Sequence, residues 1–208
     1  MEKKGVVRFL FLPKNILSKY LEGIMKELSG ERKNYSVIPA VYSYDDLEYV
    51  KTSTSQIVIF VLEDALTILD GVNRIKSLNK TILLDMDGLK GFENKKNEIA
   101  FLQFAKIDGI VSMDESLIQM AKEQGLLAFQ SIPIFNSDSF ESARNKVEKD
   151  IADAYIISPG WERLTERIVE MTERKIMARG LVCDEESVEK NLKAGAEAVI
   201  SSNKDLWY

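Results

Sequence analysis

Two aspartates, Asp85 and Asp87, stand two residues apart at the end of an apolar run, Leu83-Leu84-Asp85-Met86-Asp87-Gly88. Residues two apart on a strand share a face, so both carboxylates point the same way. Turned into an apolar layer without partners they would cost several kcal/mol, so an open strand end is expected. There, paired carboxylates can hold a divalent cation or the hydroxyls of a polyol. Glu63, at the end of another apolar run, is a third oxygen donor for the same set. The bland alternative is a solvated strand end with Asp85 capping the loop that follows. A second set lies near the C-terminus, in Arg179-Gly180-Leu181 and Ser201-Ser202-Asn203. Gly180 lets backbone N–H groups approach an anion with no side chain in the way. Ser202 can begin a short helical segment over residues 203–207, whose free N–H groups would meet a phosphate beside Ser201 and Asn203. Arg179 adds a planar fork of donors. Here the alternative is that Ser202 only caps a final helix.

The chemistry open to these groups is bounded by what the chain lacks. Among 208 residues there is no histidine. That removes Ser-His-Asp and Cys-His nucleophilic systems, histidine-ligated zinc and the usual general base near neutral pH. Cys183 is the one cysteine, so no disulfide forms within the chain and a reducing, cytoplasmic setting is expected. With no histidine to activate it, Cys183 reads as a packed or loop thiol. The formal net charge of −5 gives no overall basic field to draw in nucleic acid, leaving only local patches. No apolar stretch approaches the length of a membrane span. The sequence shows no Walker loop, dinucleotide fingerprint or zinc pattern, so no cofactor, metal or catalytic residue is assigned.

The elements that must position these residues repeat regularly. Apolar, β-rich runs fall at 36–42, 56–62, 81–86, 108–112, 127–132, 154–158, 175–178 and 198–201. Most are continuous rather than alternating, as expected of parallel strands covered on both faces. Helical patterns lie between them, at 93–105, 115–123 and 162–173, and after Asp184, an N-cap followed by Glu185 and Glu186. Residues 44–50 are short for a full helix. Eight strands joined by crossovers predict a small α/β fold, a (β/α)8 barrel over 35–208. An open doubly wound sheet would be expected to carry a Gly-rich first turn, which is missing. Residues 1–34 form an extension in which Ile16, Leu17, Tyr20, Leu21, Ile24, Met25 and Leu28 follow helical spacing, predicting a helix packed on the barrel. Barrel ligands sit at the C-terminal ends of the strands, where the two sets above both fall.

Several segments resemble one family, the glycerol-3-phosphate-responsive antiterminators of the glycerol uptake operon. They are LLDMDGLKG (83–91), DGIVSMDESLIQMAKEQGLLAFQ (108–130), FNSDSFESARNKVE (135–148), Pro159-Gly160, RGLVCDEESVEKNLKAGAEAV (179–199) and SSNKDLW (201–207). The resemblance implies a barrel that binds glycerol 3-phosphate or a similar phosphorylated molecule. It also implies binding to leader mRNA, which prevents premature termination, by a regulator that is not an enzyme. By position it makes Asp85 a ligand-site carboxylate and Gly180, Ser201 and Ser202 a phosphate cradle. The chain departs from the family at three places: Ser131 stands where an arginine is usual, Ile156 where a glutamate is usual, and Arg179 where a glycine is usual. Lys90, Lys95 and Lys96 are candidates for an RNA-facing stripe. Two readings stay beside the regulator: a barrel enzyme acting on a phosphorylated polyol through Asp85, Asp87 and Glu63, and a diverged phosphate-binding homologue without RNA control. A homo-oligomer is compatible with each.

Overall fold

A computed structural model describes residues 37–208 except 90, 91 and 93. The expected extension over residues 1–34 lies outside the described residues. Eight parallel strands close into a barrel in sequence order: β1 (Val37–Val41), β2 (Ile57–Phe60), β3 (Thr81–Asp85), β4 (Gly109–Ser112), β5 (Leu127–Pro133), β6 (Ala154–Ser158), β7 (Lys175–Arg179) and β8 (Ala198–Ser201). Seven α-helices are found among the described residues: α1 (Leu47–Val50), α2 (Ala65–Lys76), α3 (Lys95–Phe104), α4 (Glu115–Glu123), α5 (Ser137–Glu148), α6 (Glu162–Val169) and α7 (Glu185–Lys193). A 3-10 turn precedes α1 (Tyr44–Asp46) and another follows β8 (Lys204–Leu206). No helix among the described residues is long and apolar enough to cross a membrane.

The eight expected strands are all present. Two extend past their apolar runs, β5 to Pro133 and β7 to Arg179. Helix starts follow the capping residues: Asp64, Asn94, Asp114, Asn136 and Asp184 each accept a backbone N–H of the first turn. Asn94 therefore starts α3 two residues later than the apolar pattern suggests. Helix α6 stops at Val169, short of Glu173. Met171, expected on its apolar face, still packs against the core from the turn beyond.

Carboxylates stitch neighbouring strands at the N-terminal floor. Asp108, just before β4, accepts the Ile82 N–H at 2.7 Å and pairs with Lys76. Asp153, just before β6, repeats this with the Ala128 N–H at 3.0 Å and Lys122 at 3.1 Å. Glu197, just before β8, pairs with Lys175 at 2.7 Å. Strand β1 is less well tied. Pro39 has no N–H to give, and the β1–β2 ladder runs only between Ala40–Val41 and Ile59–Phe60.

Two apolar layers fill the molecule. One lies between barrel and helices; the other is inside the barrel, built by alternate strand residues. In parallel barrels the inner side chains form levels of four, drawn from every second strand. Following the register around the barrel, with the stagger that strand tilt imposes, gives the levels. Ile38, Leu83, Phe129 and Met177 make one, and Ile59, Val111, Ile156 and Ile200 the next above. Gly109 sits low in this interior. A Cβ there would lie 2.5 Å from both the Leu127 Cβ and its carbonyl oxygen, so glycine is the residue that fits.

Candidate functional site at the barrel mouth

The next level toward the C-terminal face changes character. The same stagger places Ala40, Asp85, Ser131 and Arg179 together, from β1, β3, β5 and β7. Asp85 and Arg179 therefore face each other across the barrel, and the small side chains of Ala40 and Ser131 leave room between them. Arg179 spans this gap, its Nη1 donating to Asp85 Oδ2 at 2.6 Å. The pair is largely enclosed, with the side chains 18% and 7% exposed. Below it lies the apolar level of Ile59, Val111, Ile156 and Ile200. Arg179 Nη2 also donates to the Tyr42 hydroxyl at 3.1 Å. Burial opposes the guanidinium charge, but the Tyr42 hydrogen bond and the Asp85 carboxylate outweigh it and hold Arg179 above its usual pKa.

Asp87 lies beyond the end of β3, and its backbone N–H donates to Asp85 Oδ1 at 3.2 Å. Its own carboxylate accepts the Ser112 hydroxyl and the Met113 N–H, each at 2.9 Å on Oδ1. The protein packed around it raises its pKa; the Met113 and Ser112 hydrogen bonds oppose that rise and Asp85 adds to it. Glu63 is exposed on the loop after β2. Among the described residues no three His, Cys, Asp or Glu side chains gather as a metal site, so Glu63, Asp85 and Asp87 do not form a metal triad.

The loops after β7 and β8 divide the expected phosphate cradle in two. Gly180, with φ of 79°, and Ser202 are exposed at the mouth beside Arg179. Ser201 points the other way. It is buried; its hydroxyl donates to the Val182 carbonyl at 3.0 Å and accepts the Asn203 N–H at 3.1 Å. Asn203 Nδ2 donates to the Cys183 carbonyl at 2.7 Å, and the Trp207 indole N–H donates to the Ser201 carbonyl at 2.9 Å. Ser201 and Asn203 thus tie the two loops together, while Gly180 and Ser202 stand exposed beside the largely enclosed Arg179. The cap of the last turn is Asn203, which accepts the Asp205 N–H, and not Ser202 as the sequence suggests. Cys183 is exposed. Lys95 is engaged by Asp114, Lys96 is exposed, and Lys90 lies outside the described residues.

Tyr42 is the site residue that sequence reasoning passes over. The signal available was its place just past β1, two residues from Ala40 and so on the same inward series. The departures at Ser131 and Ile156 are one feature in three dimensions, since the two are Cα partners across β5 and β6. Both fall among the inward residues at or directly below the level of Arg179.

Comparisons with known proteins agree with this architecture. A family model described as glycerol-3-phosphate responsive antiterminator matches residues 37–207. An uncharacterised protein of Escherichia coli (strain K12), YgcP, is 30% identical over 173 residues, covering 82% of this chain and 91% of the relative. The crystal structure of a glycerol uptake operon antiterminator regulatory protein from Listeria monocytogenes str. 4b F2365 superposes with a TM-score of 0.77 at 26% identity, covering 86% of this chain and 97% of that one. That of a glycerol uptake operon antiterminator-related protein from Thermotoga maritima MSB8 gives 0.73 at 25% identity, covering 83% and 97%.

Proposed function

Because this chain belongs to the glycerol-3-phosphate responsive antiterminator family, we propose that it is a cytoplasmic regulator rather than an enzyme. In this reading it binds glycerol 3-phosphate or a similar phosphorylated small molecule at the barrel mouth. In response, it binds the leader mRNA of a glycerol uptake operon and prevents premature termination. The observation that carries the ligand half is Arg179, a guanidinium held over an apolar floor beside Gly180 and Ser202. An arginine fork in a partly dry cleft is suited to a phosphate. Arg179, Gly180 and Ser202 contact the phosphate, Ser201 and Asn203 keep the two loops in register, and Asp85 and Asp87 accept from the hydroxyls. Glu63 borders the polyol end. On entry, the ligand exchanges with Asp85 for the guanidinium. Lys90, Lys95 and Lys96 supply the RNA contacts.

The test is filter binding of an operon leader transcript at several salt concentrations, with and without glycerol 3-phosphate. Binding that strengthens with the ligand and weakens as salt rises is the expected result. Arg179→Met should abolish the response to ligand while leaving a folded barrel. RNA binding that is absent with and without ligand would remove the antiterminator reading. RNA binding that ignores the ligand would remove the effector site.

A further inference from the structure

The charges at the mouth point to a narrower class of ligand. We propose that the effector is a small zwitterion, a phosphomonoester that also carries a protonated amine; this rests on the reading of the mouth as the effector site. Among the described residues the mouth sets two carboxylates, Asp85 and Asp87, against one guanidinium, Arg179, and that guanidinium is already held by Asp85 at 2.6 Å. Lys95 and Lys204, which stand after β3 and β8, do not change this balance, since Asp114 and Asp46 hold them at 2.5 and 2.6 Å. A phosphomonoester brings a charge of about −2 at neutral pH. A ligand with only hydroxyls elsewhere leaves that charge beside a cluster that is already negative.

An amine reverses the sign at the right end. Gly180, Ser202 and the root of Arg179 lie on the β7–β8 side of the mouth, and Asp85, at the end of β3, and Asp87, just beyond it, lie across from them. Asp87 Oδ1 is taken by Ser112 and Met113, while among the described residues Oδ2 has a longer contact of 3.1 Å to the same Met113 N–H. That oxygen, on an exposed residue, is the acceptor offered to a ligand. An ammonium there makes a charge-assisted hydrogen bond, about twice as strong as that of a hydroxyl, and offsets the carboxylate left when Arg179 turns to the phosphate. A ligand lying across the mouth, phosphate toward β7–β8 and amine toward β3, satisfies both ends.

The test is calorimetric titration of the full chain with 2-aminoethyl phosphate and 2-hydroxyethyl phosphate, which differ only in that one group, alongside glycerol 3-phosphate and inorganic phosphate. The amine should bind about tenfold more tightly than its hydroxyl counterpart. Asp87→Asn should remove most of that preference, weakening the amine ligand by more than it weakens the hydroxyl ligand. The comparison on the unaltered protein stands even if the variant folds poorly. Equal or tighter binding of the hydroxyl ligand or of glycerol 3-phosphate would overturn the zwitterion and leave the effector site standing. So would an unchanged preference in folded Asp87→Asn. Failure of every phosphate ester to bind would remove the site itself.

Discussion

Replacing Arg179 by methionine keeps most of the side-chain volume and removes the guanidinium that spans the barrel. Among the described residues Asp85 then retains the Asp87 N–H at 3.2 Å. Its side chain is 7% exposed, so little water reaches it without rearrangement. Breaking a buried ion pair by removing one partner costs about 3–5 kcal/mol. The pair sits at a mouth and not in a sealed core, which lowers the expected loss to about 2–3 kcal/mol. Asp85→Asn should cost less, about 1–2 kcal/mol, because Arg179 keeps Tyr42 and can reach solvent. In the double variant no charge is left unpaired, and a buried pair exchanged for neutral groups is often near break-even. The double variant should therefore be more stable than the sum of the single losses predicts, by about 2 kcal/mol. Urea unfolding of the four proteins at pH 7 measures this coupling. Losses that add to within about 0.5 kcal/mol would refute a direct trans-barrel pair, and the site argument with it.

Three further outcomes follow from the packing. Gln130 on β5 is fully buried, and neither its amide nitrogen nor its amide oxygen has a partner among the described residues; Gln130→Met should raise stability by about 1–2 kcal/mol, seen as a melting point higher by several degrees, and a fall would show that the amide is satisfied after all. Gly109→Ala should cost at least about 3 kcal/mol, since the added methyl meets the Leu127 backbone and not a movable side-chain end; a loss under about 1 kcal/mol would mean that β4 and β5 part easily. Asp114, which caps α4, is lowered from 3.8 to about 2, chiefly by its hydrogen bond to Lys95. A depressed carboxylate stabilises the fold above its unfolded value and loses that contribution as pH falls through the folded one. Asp114→Ala should therefore cost about 1 kcal/mol at pH 7, after allowing for solvent screening, and much less at pH 2, where about half of the folded carboxylates are protonated; a loss of equal size at both would mean that charge plays no part.

What was legible in the sequence, and what was not, follows from how the strands are buried. Runs such as Ile57–Phe60 and Ala154–Ser158 stand out because both of their faces are covered, which makes them apolar throughout. The same burial hides their phase. In Ala198–Ser201 every residue is buried, so nothing in the run tells which of Ser201 and Ser202 turns inward. Only the register decides, and it turns Ser201 to the helix side. Arg179 posed a similar difficulty. A charged residue reads as the start of a loop, yet β7 pairs through it, with Arg179 beside Ile200. Its partner Asp85 lies 94 positions away in the chain, and their meeting depends on stagger summed over four intervening strand pairs. The strand-end aspartates needed no such sum, because their chemistry and their place at the end of a run are local.

The weak ladder of β1 bears on how the chain comes together during synthesis. The floor carboxylates join β3 to β4, β5 to β6 and β7 to β8 over short stretches of chain, so each pair can form as its second strand emerges. Strand β1 is made early, yet one of its two sides must wait for Val199, Ile200 and Ser201. A nascent chain halted before Ala198 thus exposes two open strand edges, on β1 and β7, of the kind that recruits other chains. Pro39, which weakens the finished ladder, also blunts the first of those edges while it waits.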